Sequence, residues 1–169
     1  YLNCKTYFSF KYGTYSTKEL VQAAADNGVT ALALTNINST CDTWDFVQYC
    51  REAGIKPVCG AEIRNGDTLL YILLAANNKG LTWINEFLSV HLLEKKDFPE
   101  RAGETPFFND LWDGFVVYPL GTKPLNELFP NEQVGLLRTD LTKLYSIDWK
   151  PFSDKLVIRQ PVTFQNRIY

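Results

Sequence analysis

Histidine occurs once in the 169 residues and methionine not at all. One imidazole, His91, cannot build a site that needs several, and any Ser-His-Asp arrangement would have to recruit it. It falls near the carboxyl end of an expected helix, where the helix dipole favours a partly exposed histidine. There is no C-x-x-C spacing among Cys4, Cys41, Cys50 and Cys59, so free thiols in a reducing compartment are expected rather than a zinc site or disulfides. No G-x-x-x-x-G-K loop is present, which leaves Val58-Cys59-Gly60-Ala61 as a strand and Asn65-Gly66-Asp67 as a hairpin turn. No apolar run approaches the ~18 residues of a membrane span, and no signal peptide opens the chain. No membrane contact and a cytoplasmic location are expected. Net charge is −2, so the basic footprint of a nucleic-acid binder is missing too.

What remains is a chain with a 46% hydrophobic and 21% charged composition, enough to bury the core of one domain. Ser16-Thr17-Lys18-Glu19 has capping-box spacing and predicts a helix through Leu20, Ala23 and Ala24 to a stop at Gly28. A second helix is predicted over Asp42 to Ala53, and a third over Leu81 to Leu93. Strands are predicted at Leu2 to Lys5, Val29 to Thr35, Lys56 to Ala61 and Leu69 to Ala75. Further ones follow at Gly114 to Tyr118, Gln133 to Leu137 and Lys155 to Arg159. Strands that are apolar throughout and alternate with helices indicate an α/β fold with a parallel sheet covered on both faces or closed into a barrel. Glu94 to Asp110, charged and holding Pro99 and Pro106, reads as an excursion over the surface, and within it Glu94 to Arg101 is a solvated loop or a docking loop for a protein partner. The missing methionine, and an end just after a strand-like segment, suggest that residues 1–169 are the amino-terminal part of one domain truncated at its carboxyl end.

Four segments carry more than composition. Leu2-Asn3-Cys4-Lys5-Thr6-Tyr7-Phe8-Ser9 and Leu32-Ala33-Leu34-Thr35-Asn36-Ile37 are similar to His-x-His-Thr-x-x-Ser and Leu-Thr-Asp-His. Ile55-Lys56-Pro57-Val58-Cys59-Gly60-Ala61-Glu62 keeps a third motif, which ends in glutamate. Leu70-Tyr71-Ile72-Leu73-Leu74-Ala75-Ala76-Asn77 follows a fourth whose histidine is replaced. Together they resemble the PHP (polymerase and histidinol phosphatase) domain, in the branch found at the amino terminus of the bacterial DNA polymerase III alpha subunit. The resemblance implies a distorted (βα)7-type barrel, incomplete in this fragment. It also implies a place in DNA replication beside the remaining domains of a polymerase alpha subunit, a nucleotidyltransferase whose polymerase site and main DNA contacts lie elsewhere. Docking of a proofreading exonuclease subunit is a further implication.

Asn3, Lys5, Asn36 and Glu62 each stand at a strand's carboxyl end, where α/β folds gather functional groups. They are expected to form a vestigial metal pocket, with no catalytic residue, no metal ligand set and no cofactor. The Lys5 ammonium is expected to neutralise Glu62, because a buried carboxylate without a partner is costly; the opposing expectation leaves both groups in solvent. Asn36 fits a turn or capping role better than a metal contact. The alternative function is a metal-dependent phosphoesterase or 3'-5' proofreading exonuclease with a divergent site, which would use a divalent metal. Tyr7, Phe8, Phe10, Tyr12 and Tyr15 form either a packed loop or a base-stacking platform.

Overall fold

The computed structural model describes residues 1–104, 108 and 112–163. Its centre is a curled six-stranded sheet in sequential order, β1 (Ala31–Ile37), β2 (Lys56–Asn65), β3 (Thr68–Ala75), β4 (Gly114–Pro119), β5 (Glu132–Leu136) and β6 (Leu156–Ile158). β1 and β2 run parallel, as do β4, β5 and β6. The sheet is not wholly parallel, however, because β3 is antiparallel to both neighbours. The cause is local. Asn65 and Thr68 pair across a tight turn whose Gly66 has φ 57°, which reverses the chain without a crossover helix.

Three helices cover the outer face: α1 (Thr17–Asp26), α2 (Thr43–Glu52) and α3 (Asn78–Glu94). The Ser16 hydroxyl accepts from the Glu19 N–H at 3.2 Å, and the Glu19 carboxylate accepts from the Ser16 N–H at 2.9 Å, so the predicted capping box starts α1. Leu20, Val21 and Ala24 of α1 and Phe46 and Cys50 of α2 pack on Leu32 and Leu34 of β1. Ile84, Phe87 and Leu88 of α3 pack on Ala61, Ile63, Tyr71 and Leu73. The opposite, inner face has its own smaller apolar group around Ala33, Ile72, Leu74 and Val117. Side chains alternate between the faces with period two, and that alternation decides which residues can meet in a site.

Two further expectations need correction. Leu2 to Lys5 forms no full strand; Cys4 makes isolated parallel bridges to Leu34 and Val162, but this suffices to lock the segment beside β1. The Glu94–Asp110 stretch is not simply a surface excursion either. Phe98, Ala102 and Phe108 are buried in the α3 core, because its aromatics fill the space between α3 and the sheet. Residues 105–107 and 109–111 lie outside the described residues, as does the expected ending over 164–169. No described helix is long and apolar enough to cross a membrane.

Candidate functional site

Bridging of Cys4 to β1 turns Cys4 to the helix-covered side and leaves Asn3 and Lys5 on the inner face, by the same alternation. There Lys5 Nζ lies 2.7 Å from Glu62 Oε2 and 2.6 Å from Asn3 Oδ1. Glu62 is fully buried and Lys5 nearly so. The Thr35 hydroxyl donates to the same Asn3 oxygen at 3.2 Å. Burial pulls the Lys5 ammonium below its ordinary pKa, and the Glu62 carboxylate pushes it back up.

The other Glu62 oxygen belongs to Arg64, whose Nε donates to Oε1 at 2.6 Å. Residues two apart on a strand share a face, so the Glu62-Ile63-Arg64 spacing held this signal and sequence reasoning passed over it. Beyond Glu62 the strand register shifts between Ile63 and Arg64, and Asn38 clamps the shift: its amide accepts from the Arg64 N–H and donates to the Arg64 carbonyl, both at 2.9 Å. Arg64 also donates to the Asp67 carbonyl at 2.9 Å and lies 4.5 Å above the Tyr12 ring. Tyr12 therefore anchors the aromatic loop to the site, while Tyr7, Phe8 and Phe10 are exposed. Within that loop Gly13 has no substitute: a Cβ there would sit 2.1 Å from the Thr6 carbonyl oxygen.

Asn36 does not join this group. Ile37 pairs with Glu62 across β1 and β2, whereas Asn36 pairs with Ala61, so Ile37 faces inward with Glu62 and Asn36 faces the helices. There its Oδ1 accepts from the Thr6 N–H at 2.9 Å and the Ser9 hydroxyl at 2.7 Å. Its Nδ2 donates to Asp42 Oδ1 at 2.7 Å, and Asp42 Oδ2 accepts from the Thr6 and Thr17 hydroxyls at 2.8 and 2.9 Å. The backbone N–H of Thr6 can only donate, which fixes the amide orientation. The pocket expected over four residues is thus three of them plus Arg64, and Asn36 is the hub of a separate buried network that ties the opening loop, α1 and the start of α2 together.

One more inward cation was invisible to motif reading. Arg159 follows β6, is buried, and lies across Gly135, where a Cβ would come within 2.7 Å of Arg159 Cβ. Burial holds its guanidinium below its ordinary pKa, and the fields of Glu62 and Asp140 offset this.

A divalent cation does not fit these residues as they stand. Both oxygens of Glu62 are engaged by cations, and no three His, Cys, Asp or Glu residues come together as possible ligands among the described residues. Ile37, the inward neighbour of Glu62, offers no donor atom. His91 lies elsewhere: its Nδ1 meets the Phe87 carbonyl at 2.9 Å and its ring stacks on Phe98 at 5.0 Å.

Comparison with known proteins places this geometry. The PHP domain profile matches residues 2–115. The DNA polymerase III alpha subunit of Pseudomonas aeruginosa is 35% identical over 95 residues, covering 53% of this chain and 8% of that protein. The corresponding subunit of Haemophilus influenzae is 28% identical over 134 residues, covering 73% and 11%. An error-prone DNA polymerase of Symbiobacterium thermophilum is 34% identical over 89 residues, covering 53% and 8%. The chain therefore matches only about a tenth of the length of these relatives. Among solved structures, an amidohydrolase from Chromobacterium violaceum shares the fold at a TM-score of 0.58 and 11% identity, over 98% of this chain and 87% of that one. A profile match across residues 2–115, joined to a half-barrel sheet with Asn3, Lys5 and Glu62 at its mouth, means that this chain belongs to the PHP domain family.

Proposed function

We propose that this PHP domain works in DNA replication as a noncatalytic structural and partner-docking domain of a polymerase alpha subunit, with a degenerate metal site. The observation that carries the reading is the Lys5 ammonium 2.7 Å from the buried Glu62 carboxylate. A fixed cation there supplies the positive charge that metal ions would otherwise bring, so the carboxylate is satisfied without them. With Arg64 hydrogen-bonded to the second oxygen, both Glu62 oxygens lie against fixed cations, which occupy the place of the metal ions that activate water in phosphoester hydrolysis of this type.

The fold around the site supports a shape-keeping role. Asn38, Gly13 and the Asn36–Asp42 network hold the loops at the sheet's mouth although among the described residues there is no metal-ligand set for them to support. The partners under this reading are the remaining domains of the alpha subunit and a separate proofreading exonuclease subunit.

Metal analysis of the purified chain, paired with a 3'-5' exonuclease assay before and after chelation, tests the proposal. We expect substoichiometric metal and no chelator-sensitive hydrolysis. Stoichiometric metal with turnover that a chelator abolishes would establish the phosphoesterase alternative instead.

A further inference from the structure

Just after Lys5 the chain mixes buried anchors with exposed rings. Thr6 and Ser9 are buried; the Ser9 hydroxyl donates to Asn36 Oδ1 at 2.7 Å and the Thr6 hydroxyl to Asp42 Oδ2 at 2.8 Å. Tyr7, Phe8 and Phe10, which flank them, are 53%, 45% and 82% exposed, and the Tyr7 and Phe8 ring centroids lie 4.8 Å apart. The loop beneath these rings is not loose. The Ser9 N–H donates to the Thr6 carbonyl at 2.9 Å, the Tyr7 N–H to the Tyr15 carbonyl at 2.8 Å, and the Tyr12 and Gly13 N–H groups to the Ser9 carbonyl at 2.8 and 3.0 Å. Asp42, which Thr6 binds, immediately precedes α2, so Trp44 stands in the first turn of a helix tied to the same loop, and it is 80% exposed.

At about 200 Å² per aromatic side chain, the four rings leave on the order of 500 Å² of apolar surface in water, near the upper end for a monomer and often a sign of function. A specific interface buries about 800 Å² on each side, with aromatic anchors at its centre, so this patch fits a short segment of a partner better than a broad globular face. Charge narrows the choice. Residues 1–18 hold three lysines and no aspartate or glutamate. Lys5 is paired with Glu62, whereas Lys11 and Lys18 are exposed and in no ion pair among the described residues. Of the carboxylates nearby, Asp67 accepts from the Tyr12 hydroxyl at 2.6 Å and Glu19 from the Ser16 hydroxyl at 2.7 Å, which leaves exposed Asp45 beside Trp44 as the opposing charge. The net charge of −2 on the whole chain argues against a long polyanion, but a short acidic segment needs only the local field. We propose that the Tyr7–Phe10 loop and Trp44 form a docking surface for a short acidic segment of a partner protein, whose apolar side chains cover the rings. This rests on the partner-docking reading above and adds to it the surface and the chemistry of the partner. Rings held on a pinned backbone lose little freedom on binding, and Lys11 and Lys18 steer the acidic segment to them.

The test is a selection of random peptides displayed on phage against the immobilised chain. Fluorescence anisotropy of the enriched peptides at low and high salt follows, with oligodeoxythymidylate measured in parallel. Enrichment of acidic sequences that carry leucine or aromatic residues is expected. Phe10→Ser and Trp44→Ser should each weaken binding at least tenfold, and Lys11→Glu combined with Lys18→Glu should also remove its salt dependence. Tyr145→Ser, which removes an exposed ring between β5 and β6, should leave binding unchanged. Because the substituted side chains are all exposed, the thermal midpoints of these variants should match that of the parent. The proposal is overturned if no sequence is enriched, if the enriched peptides are neutral or basic, or if they bind Phe10→Ser as well as the parent. Oligodeoxythymidylate that binds more tightly than any peptide and is lost in Phe10→Ser would assign the patch to nucleic acid. A dimer in sedimentation velocity that Phe10→Ser disrupts would assign it to a second copy of this chain, and either result overturns the proposal. Failure here leaves the noncatalytic reading standing, because the metal analysis and the exonuclease assay do not involve these rings.

Discussion

Replacing Asn36 by aspartate, the residue the PHP motif carries at this place, would put a second carboxylate against Asp42. In the structure the Asn36 amide nitrogen donates to Asp42 Oδ1 at 2.7 Å; an aspartate oxygen there has no proton to give when ionised. Relaxed to about 4 Å, two carboxylates repel by about 4 kcal/mol at an effective dielectric of about 20, equivalent to a pKa rise of about 3 units. The pair would therefore keep one proton in the folded state up to about pH 7, against about pH 4 in the unfolded chain. With the folded pKa raised, the folded state binds more protons, and stability falls as pH rises between those two values. Between pH 5 and pH 8 the variant should lose about 3 kcal/mol relative to the parent. Urea unfolding of both chains at the two pH values measures this, read as the shift in midpoint at constant slope. Asp42→Asn in the same background should abolish the pH dependence. A stability difference that stays constant from pH 5 to pH 8 would refute the reasoning. Because Asn36 faces the helices and not Glu62, the variant should also gain no affinity for divalent cations.

Lys5→Met leaves Glu62 with Arg64 alone and should destabilise the fold by about 3 kcal/mol, the lower end for breaking a buried pair; adding Glu62→Gln should recover part of that in denaturant titrations, and strict additivity would show that the 2.7 Å contact carries no coupling. Gly135→Ala presses a methyl into Arg159 and Val117 Cγ1, which lie 2.7 and 2.9 Å from the site of its Cβ, and should cost about 1–3 kcal/mol in the same assay; an unchanged midpoint would mean that Arg159 moves freely. Burial pushes the Cys4, Cys50 and Cys59 thiols up to about 11, whereas Cys41 is exposed. At pH 8 one thiol should therefore react rapidly with iodoacetamide and three slowly, and peptide mass mapping that finds Cys4 labelled first would contradict the packing of the opening segment.

Glu19 is hydrogen-bonded through its carboxylate to the Ser16 hydroxyl and N–H, which holds its pKa below the ordinary carboxylate value. A depressed pKa means that the stabilisation is complete above the unfolded pKa and fades as pH falls through the folded one. Glu19→Gln should accordingly differ most from the parent near neutral pH and converge with it in acid, as followed by circular dichroism melts; a difference that persists in acid would count against the capping role.

Local patterns in the sequence were sufficient for the three helices, because a capping box, apolar spacing and glycine stops act within a few residues of one another. For Lys5 and Glu62 they offered two outcomes, a buried pair or two solvent-exposed groups, and the 2.7 Å contact of the structure decides between them. Arg64 was legible in principle from its period-two relation to Glu62. The direction of β3 was legible in principle from the Asn65-Gly66-Asp67 turn, whereas the burial of Phe98 and Phe108 was not, because it depends on how distant segments compete for the same core. Asn36 shows the same boundary more sharply. Its motif position put it beside Glu62, but which face it occupies follows from the β1–β2 register, with Ile37 and not Asn36 opposite Glu62. Arg159, nearly a hundred residues beyond Glu62 in the chain, enters the site only because β6 closes the row of strands and Gly135 leaves room for it. The sequence by itself determined the family frame and the residues other than histidine that stand at its motif positions, which are properties of residue identity. Only the tertiary structure decided which side chains share a face, because strand register converts a one-residue offset into opposite sides of the sheet.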